Sequence, residues 1–156
     1  MYEQLVDTSD EYLLEELAHH WEKHKRTMSM VKDILMYMNH NYCPKVGKPL
    51  INHHGFDLFL RQLLQREPIH SRFPAALLNI FYQARIQPFT DTASLAKNIK
   101  MLLELDVFGA RKEVYEKLFE REFLKSSQAM FAAECTDYLA QHTISDYLLF
   151  VEKRLA

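Results

Sequence analysis

Apolar residues recur along this chain at three- and four-residue steps almost from end to end, the period of helices with one buried face. No run of strict alternation competes with that pattern, so the expected class is all-α. Thr8 and Glu11 form a capping-box pair, in which each side chain satisfies an otherwise unpaired amide at a helix start. The pattern predicts one helix from there to about Cys43, on the order of 50 Å long. Its seam carries Leu14, Trp21, Met28, Leu35 and Tyr42, interleaved with Leu17, His24, Val31 and Met38. Met30, Ile34 and Tyr37 widen the apolar face beyond a two-position stripe, which favours a bundle helix with several neighbours over a free coiled coil.

Breaks in the period coincide with Gly and Pro, and they separate about six helices. After Pro44, Gly47 and Pro49, a short helix over 54–65 presents Phe56, Phe59, Leu60, Leu63 and Leu64 before Pro68 stops it. A third begins near Ser71 with Pro74 in its first turn and Leu77, Leu78, Phe81 and Tyr82 on its face. Thr90 or Asp91 caps a fourth, whose face is Leu95, Ile99, Leu102 and Leu103 and whose stop is Gly109. A second long helix over 112–141 carries Tyr115, Leu118, Phe119, Phe123, Met130, Phe131, Tyr138 and Leu139. The sixth starts at Ser145 with Tyr147, Leu148, Val151 and Leu155 on its face, and the chain then ends without a stop signal, as a cut piece would.

Composition narrows the function. The 156 residues carry a net charge of −2, with no basic field for nucleic acid or an anionic membrane, so protein partners are expected. Cys43 and Cys135 form no CxxC pair and read as buried thiols of a reducing compartment, and the first residues lack a secretory leader. The expected location is cytoplasmic, nuclear or both. The longest stretch without an acidic or basic residue, Phe73 to Ala84, is too short to span a bilayer.

Candidate chemistry is sparse. The three glycines lie too far apart for a phosphate loop, and neither GxSxG nor HExxH occurs. Glu16 with His19, and Glu67 with His70, have the ExxH spacing of di-iron bundles, but Pro68 interrupts the second pair and further inward glutamates are lacking. His20 and His24 lie one turn apart; without a third converging ligand, a hydrogen-bonded seam position is the better reading of His24. His53 and His54 read as loop and cap residues. Met28, Met30, Met36 and Met38 read as core filler, with a plastic binding groove as the alternative. No metal, no cofactor and no catalytic residue is expected.

The stretch from His20 to Met38, with Trp21 ahead of a helix ending in Tyr37 and Met38, resembles the long helix of the first cullin repeat. From Val114 to Leu155, the pattern of Tyr115, Phe119, Glu120, Phe123, Leu124, Ser127, Phe131, Glu134, Leu139, Ser145, Tyr147, Arg154 and Leu155 is similar, without a gap, to the second repeat. Gly55 to Leu64 resembles the fifth helix of the first. The resemblance implies an antiparallel helical stalk of α-solenoid type, with residues 1–68 ending one repeat and 69–156 forming most of the next. It implies a non-catalytic scaffold of a cullin-RING ubiquitin ligase, a rigid spacer that binds a substrate-receptor adaptor, BTB-domain or Skp-like. Residues 27–38 look most like the type that recruits BTB-domain adaptors. In that family the RING protein binds a C-terminal domain with no counterpart here.

Because cullin adaptors dock on the second and fifth helices of the first repeat, the resemblance implies adaptor contacts from Phe56, Phe59, Gln62, Leu63 and Arg66. Core packing is the alternative for the same residues. The chain departs from the family pattern at Leu60 and Arg61, where Arg followed by Asp is expected, and at Pro68. The other functional reading is a stand-alone helical interaction module or decoy without ligase function.

Overall fold

In the computed structural model of the chain, residues 5–6, 8–87, 92–108 and 113–155 are described. Seven α-helices are found among them, and no strand: α1 (Asp10–Ile34), α2 (Cys43–Lys45), α3 (Ile51–Phe59), α4 (Ile69–Ile86), α5 (Ala93–Phe108), α6 (Arg121–Gln141) and α7 (Ile144–Leu155). Single π-helical turns follow or precede three of them, at Met38–Tyr42, Leu60–Leu64 and Glu116–Glu120. The all-α expectation holds. Two compact units divide at Phe119 and Glu120.

The first unit packs α1 against α3, α4 and α5. Leu13, Leu14, Leu17 and Trp21 of α1 are buried among Phe59 and Leu63 from the α3 segment, Phe73 and Leu77 of α4, and Leu102 and Leu105 of α5. The expected faces of α1 and α3 are met in this region. The expected single helix to Cys43 is not: α1 ends at Ile34, Leu35 leaves helical geometry, and the chain continues through a π-turn into α2. That turn directs buried Asn39 toward α3, where its Oδ1 accepts the Ile51 N–H at 2.9 Å and so caps the start of α3. At and beyond the break the seam residues Leu35, Met38 and Tyr42 are exposed, as are Tyr37 and, just before it, Met30 and Ile34.

Several element boundaries and faces differ from expectation for local reasons. Ser9, not Thr8, occupies the cap position of α1, and it makes no side-chain cap bond. Arg72 takes the carbonyls of Val6 and Thr8 and pairs with Asp10 at 2.7 Å, so the chain entering α1 is held from α4 instead. Helix α3 begins at Ile51 and includes His53 and His54, because the Asn39 amide stabilises an earlier start. Helix α4 begins at Ile69, with Pro68 in the cap position, which puts Pro74 in its second turn. Its outer residue Tyr82 is exposed, while Ile69, Phe73, Ala76 and Leu77 form its buried side.

The face of α5 is rotated from the expected one. Leu95, Met101, Leu102 and Leu105 are buried and Leu103 is exposed, because Asn98 sits at the centre of the inner face. It donates to the carbonyls of Leu14 at 2.7 Å and Ser94 at 2.8 Å. The expected signals at Thr90, Asp91, Gly109 and Lys112 lie outside the described residues.

The second unit is the α6–α7 pair, and none of the residues of α6 is buried. Tyr138 of α6 stacks with His142 at 3.9 Å and with Phe150 of α7 at 4.3 Å, closing the pair around an aromatic sandwich. Thr143 caps α7: its hydroxyl donates to Asp146 Oδ2 at 2.6 Å and accepts the Asp146 N–H at 3.3 Å. Cys43 and Cys135 are both free thiols; Cys43 is buried, but Cys135 is only half-buried, and its hydrogen bond with Tyr147 holds that phenol above its ordinary range.

Candidate functional site

The helix 54–65 carries the implied adaptor stripe, and packing divides its residues. Phe56 and Phe59 meet the Trp21 indole at ring separations of 5.0 and 4.9 Å, and Leu63 is 1% exposed beneath them. These three side chains fill the core of the first unit. Gln62 and Arg66 are exposed, on the opposite side of the segment from that core, together with Leu58 and Arg61. A helix completes 3.6 residues per turn, so the seam 56, 59, 60, 63 leaves 58, 61, 62 and 65 outward. Arg61 is held there by buried Asp57, at 2.6 Å from Oδ2.

Helix α1 supports this segment from behind. The His24 Nε2–H donates to the Gly55 carbonyl at 2.9 Å, which matches the expected hydrogen-bonded seam position and fixes the tautomer. Gly55 gives room to the side chain of α1 that faces it: a Cβ there would stand 2.6 Å from Met28 Sδ and 2.8 Å from its Cγ. One turn earlier, Trp21 Nε1–H donates to Glu104 Oε2 at 2.8 Å, and Lys25 Nζ reaches the same oxygen at 2.9 Å. Burial opposes ionisation of Glu104, but the hydrogen bonds from Lys25 and Trp21 outweigh it and hold the carboxyl below its usual range. Burial likewise works against charged Lys25, and Glu22 and Glu104 overcome it and raise that ammonium.

The methionine segment lies mostly outside the core. Met30, Met36 and Met38 are exposed, 54%, 59% and 40%, which corrects the core-filler reading. Met28 and Met38 instead line an open groove of about 400 Å³ with Leu35, Tyr42, Ile51 and Leu58. A second cleft, of about 670 Å³, lies between α1, α4 and α5, where Glu15, His19 and Glu22 face Asn79, Gln83 and Lys97.

The ExxH residues are engaged separately. His20 lies 3.8 Å from Glu16, with burial as the main cause of its lowered imidazole pKa, and His24 is committed to Gly55. His70 Nδ1 bonds to the Leu64 carbonyl at 3.1 Å, while Glu67 accepts the Ser71 hydroxyl at 2.9 Å. Among the described residues no three His, Cys, Asp or Glu side chains converge on a common point. No described helix is long and apolar enough to cross a membrane.

Helices joined through apolar seams, with one face of α3 and one groove left open, define a helical-repeat building block. The chain belongs to the cullin family: all of it, residues 1–156, matches the family model of the cullin alpha solenoid domain. It is 31% identical over 142 residues to Cullin-3A of Arabidopsis thaliana, covering 91% of this chain and 19% of that protein. It is 29% identical over 146 residues to Cullin-3 of Dictyostelium discoideum, covering 94% and 19%. Human Cullin-4A is 26% identical over 136 residues, covering 86% and 17%. The chain thus spans about a fifth of the length of the curated relatives it matches.

Proposed function

We propose that this protein serves as a scaffold segment of a cullin-RING ubiquitin ligase, binding a substrate-receptor adaptor and setting its distance from the rest of the assembly, with no catalytic step of its own. The observation that carries the reading is the family match over the whole chain. The likeness of residues 27–38 to the type that recruits BTB-domain adaptors favours that adaptor class over a Skp-like one. Within the implied stripe, Gln62 and Arg66 are the residues open to an adaptor, while Phe56, Phe59 and Leu63 would act by holding the segment against Trp21. Residue 68 is the proposed meeting point of two repeats, and the cytoplasm or nucleus the proposed location.

The test is direct mixing of the chain with purified BTB-domain, Skp-like and elongin-like adaptors, read by isothermal calorimetry. A complex with the BTB-domain adaptor at about micromolar Kd, weakened several-fold by Gln62→Ala with Arg66→Ala, is expected. No heat with any adaptor at concentrations roughly tenfold above that range would refute the scaffold reading.

A further inference from the structure

We propose that Met28 is a reversible oxidation site, at which a small hydroperoxide converts the thioether to a sulfoxide and thereby loosens α3 from α1.

The sulfur is both reachable and confined. Met28 is half-buried and lines the groove of about 400 Å³ beside α3, which admits water-sized molecules. It also presses on Gly55, where even one methyl carbon would stand 2.6 Å from Sδ, so that side has no room for an added atom. The distal peroxide oxygen is transferred to Sδ: an S–O bond forms from a sulfur lone pair, the O–O bond breaks, and the oxidant leaves as water or an alcohol. Sulfur loses two electrons and the peroxide gains them. A sulfoxide oxygen is a strong acceptor, costly to keep against apolar neighbours, and it finds water only by turning into the groove. Met28 then gives up its place against Gly55.

The rest of the stripe transmits that loss. Trp21, His24 and Met28 stand at i, i+3 and i+7 on α1 and face α3 together. The Trp21 indole meets the Phe56 and Phe59 rings, His24 donates to the Gly55 carbonyl at 2.9 Å, and Met28 packs on the same glycine. Displacement of Gly55 therefore strains the His24 bond and disturbs the aromatic cluster around Trp21. It also carries Gln62 and Arg66 out of position and lowers adaptor affinity; that consequence rests on the scaffold reading, whereas the oxidation and the loosening of α3 do not.

Other residues supply internal standards. Met36 is more exposed than Met28, and Met101 is fully buried. Cys43 lines the same groove, but the reversible products of its thiol are removed by dithiothreitol, which leaves a sulfoxide in place.

The whole chain is treated with hydrogen peroxide, then with catalase and dithiothreitol, and peptide mass mapping locates the added oxygen. Emission from Trp21, the single tryptophan of the chain, reports its contact with α3. One oxygen is expected on Met28, arriving more slowly than on Met36 and faster than on Met101, with a red shift of the emission that follows the Met28 sulfoxide. Methionine sulfoxide reductases A and B, whose thiols take the oxygen off as water while forming a disulfide, should restore the emission. Met28→Leu, a volume-conserving change, should abolish the shift, whereas Met30→Leu, Met36→Leu and Met38→Leu combined should retain it. Affinity for the BTB-domain adaptor should fall several-fold in the oxidised parent and hold in oxidised Met28→Leu. A Met28 that stays unmodified while Met36 is oxidised would overturn the proposal. So would a Met28 sulfoxide that leaves the emission unchanged, or an equal shift in Met28→Leu. If the untreated chain binds no adaptor, the scaffold reading falls and the emission still decides the Met28 site.

Discussion

Trp21 of α1 and Glu104 of α5 are joined by an indole N–H···O bond of 2.8 Å, and Lys25 shares the same carboxylate oxygen. Removing the acceptor strands a buried indole N–H and deprives Lys25 of its inter-helix partner. Glu104→Ala is therefore expected to cost about 2 kcal/mol at neutral pH, measured as a fall in the urea midpoint. Because the Glu104 pKa is depressed in the folded chain, its contribution is complete above its ordinary value of 4.5 and is lost as pH falls through the lower folded value. The gap between parent and variant should start to narrow only below about 4.5 and close as pH falls past the lower folded value. Lys25 has the opposite sense: its raised pKa contributes fully below 10.5 and is lost as pH climbs through the higher folded value. A gap that is flat from acid to neutral pH would exclude a charged Glu104 as the source.

Gly55 allows α1 and α3 to approach until Met28 touches its Cα side. In an exposed helix, Gly→Ala gains about 1 kcal/mol from backbone entropy. Here the new methyl would overlap Met28, whose flexible end can shift only by giving up its packing, so Gly55→Ala should be destabilising by roughly 1 kcal/mol. In a Met28→Ala background the same change should become stabilising. A thermal-denaturation double-mutant cycle measures the sign reversal, and its absence would mean that Met28 does not set the helix spacing.

Asn98, fully buried, donates to Leu14 and Ser94 carbonyls, but its own Oδ1 has no hydrogen-bond partner. It links α1 to α5 at the cost of an unsatisfied acceptor. Replacement by Leu removes the bond and the orphan oxygen together and should change stability by no more than about 1 kcal/mol. Asn98→Asp keeps the shape but turns acceptor atoms toward the Leu14 carbonyl, and should cost roughly 3 kcal/mol or more at neutral pH. Protonation supplies a donor again, so the loss from Asp should lessen in acid. Chemical denaturation at two pH values distinguishes the pair.

That asparagine also explains why one helix face was hard to read from the residues. The segment 56–64 was legible because Phe56, Phe59, Leu60, Leu63 and Leu64 form an uninterrupted apolar seam, and all five are buried. In α5 the polar Asn98 occupies the middle of the inner face, so the apolar pattern pointed to Leu103 on the outside. The end of α1 at Leu35 carries neither Pro nor Gly; just beyond it the Asn39 amide accepts the Ile51 N–H of α3, a tertiary bond that no local pattern contains. The division of the implied site was equally hidden. An aromatic at helical spacing looks the same whether its neighbour is Trp21 of its own chain or a partner, and only the packing separates Phe56 and Phe59 from Gln62 and Arg66.

A Thr followed three residues later by an acid occurs at both Thr8 and Thr143, and at Thr143 the reciprocal bonds form. At Thr8 the guanidinium of Arg72 draws on the carbonyls of Val6 and Thr8 and moves the helix start to Asp10, so the tertiary contact decides the boundary. At Thr143 the hydroxyl accepts the Asp146 N–H while donating to its carboxylate. Among the described residues of the α6–α7 pair none is buried, so a local cap weighs more there than it would in the first unit. Thr143→Ala is expected to cost about 1 kcal/mol, and Thr143→Ser to restore most of it. Amide hydrogen exchange resolves where the loss falls: protection should drop several-fold in the first turn of α7 and remain unchanged in α1 and α3. A uniform loss across all helices would instead mean that the two units unfold as one.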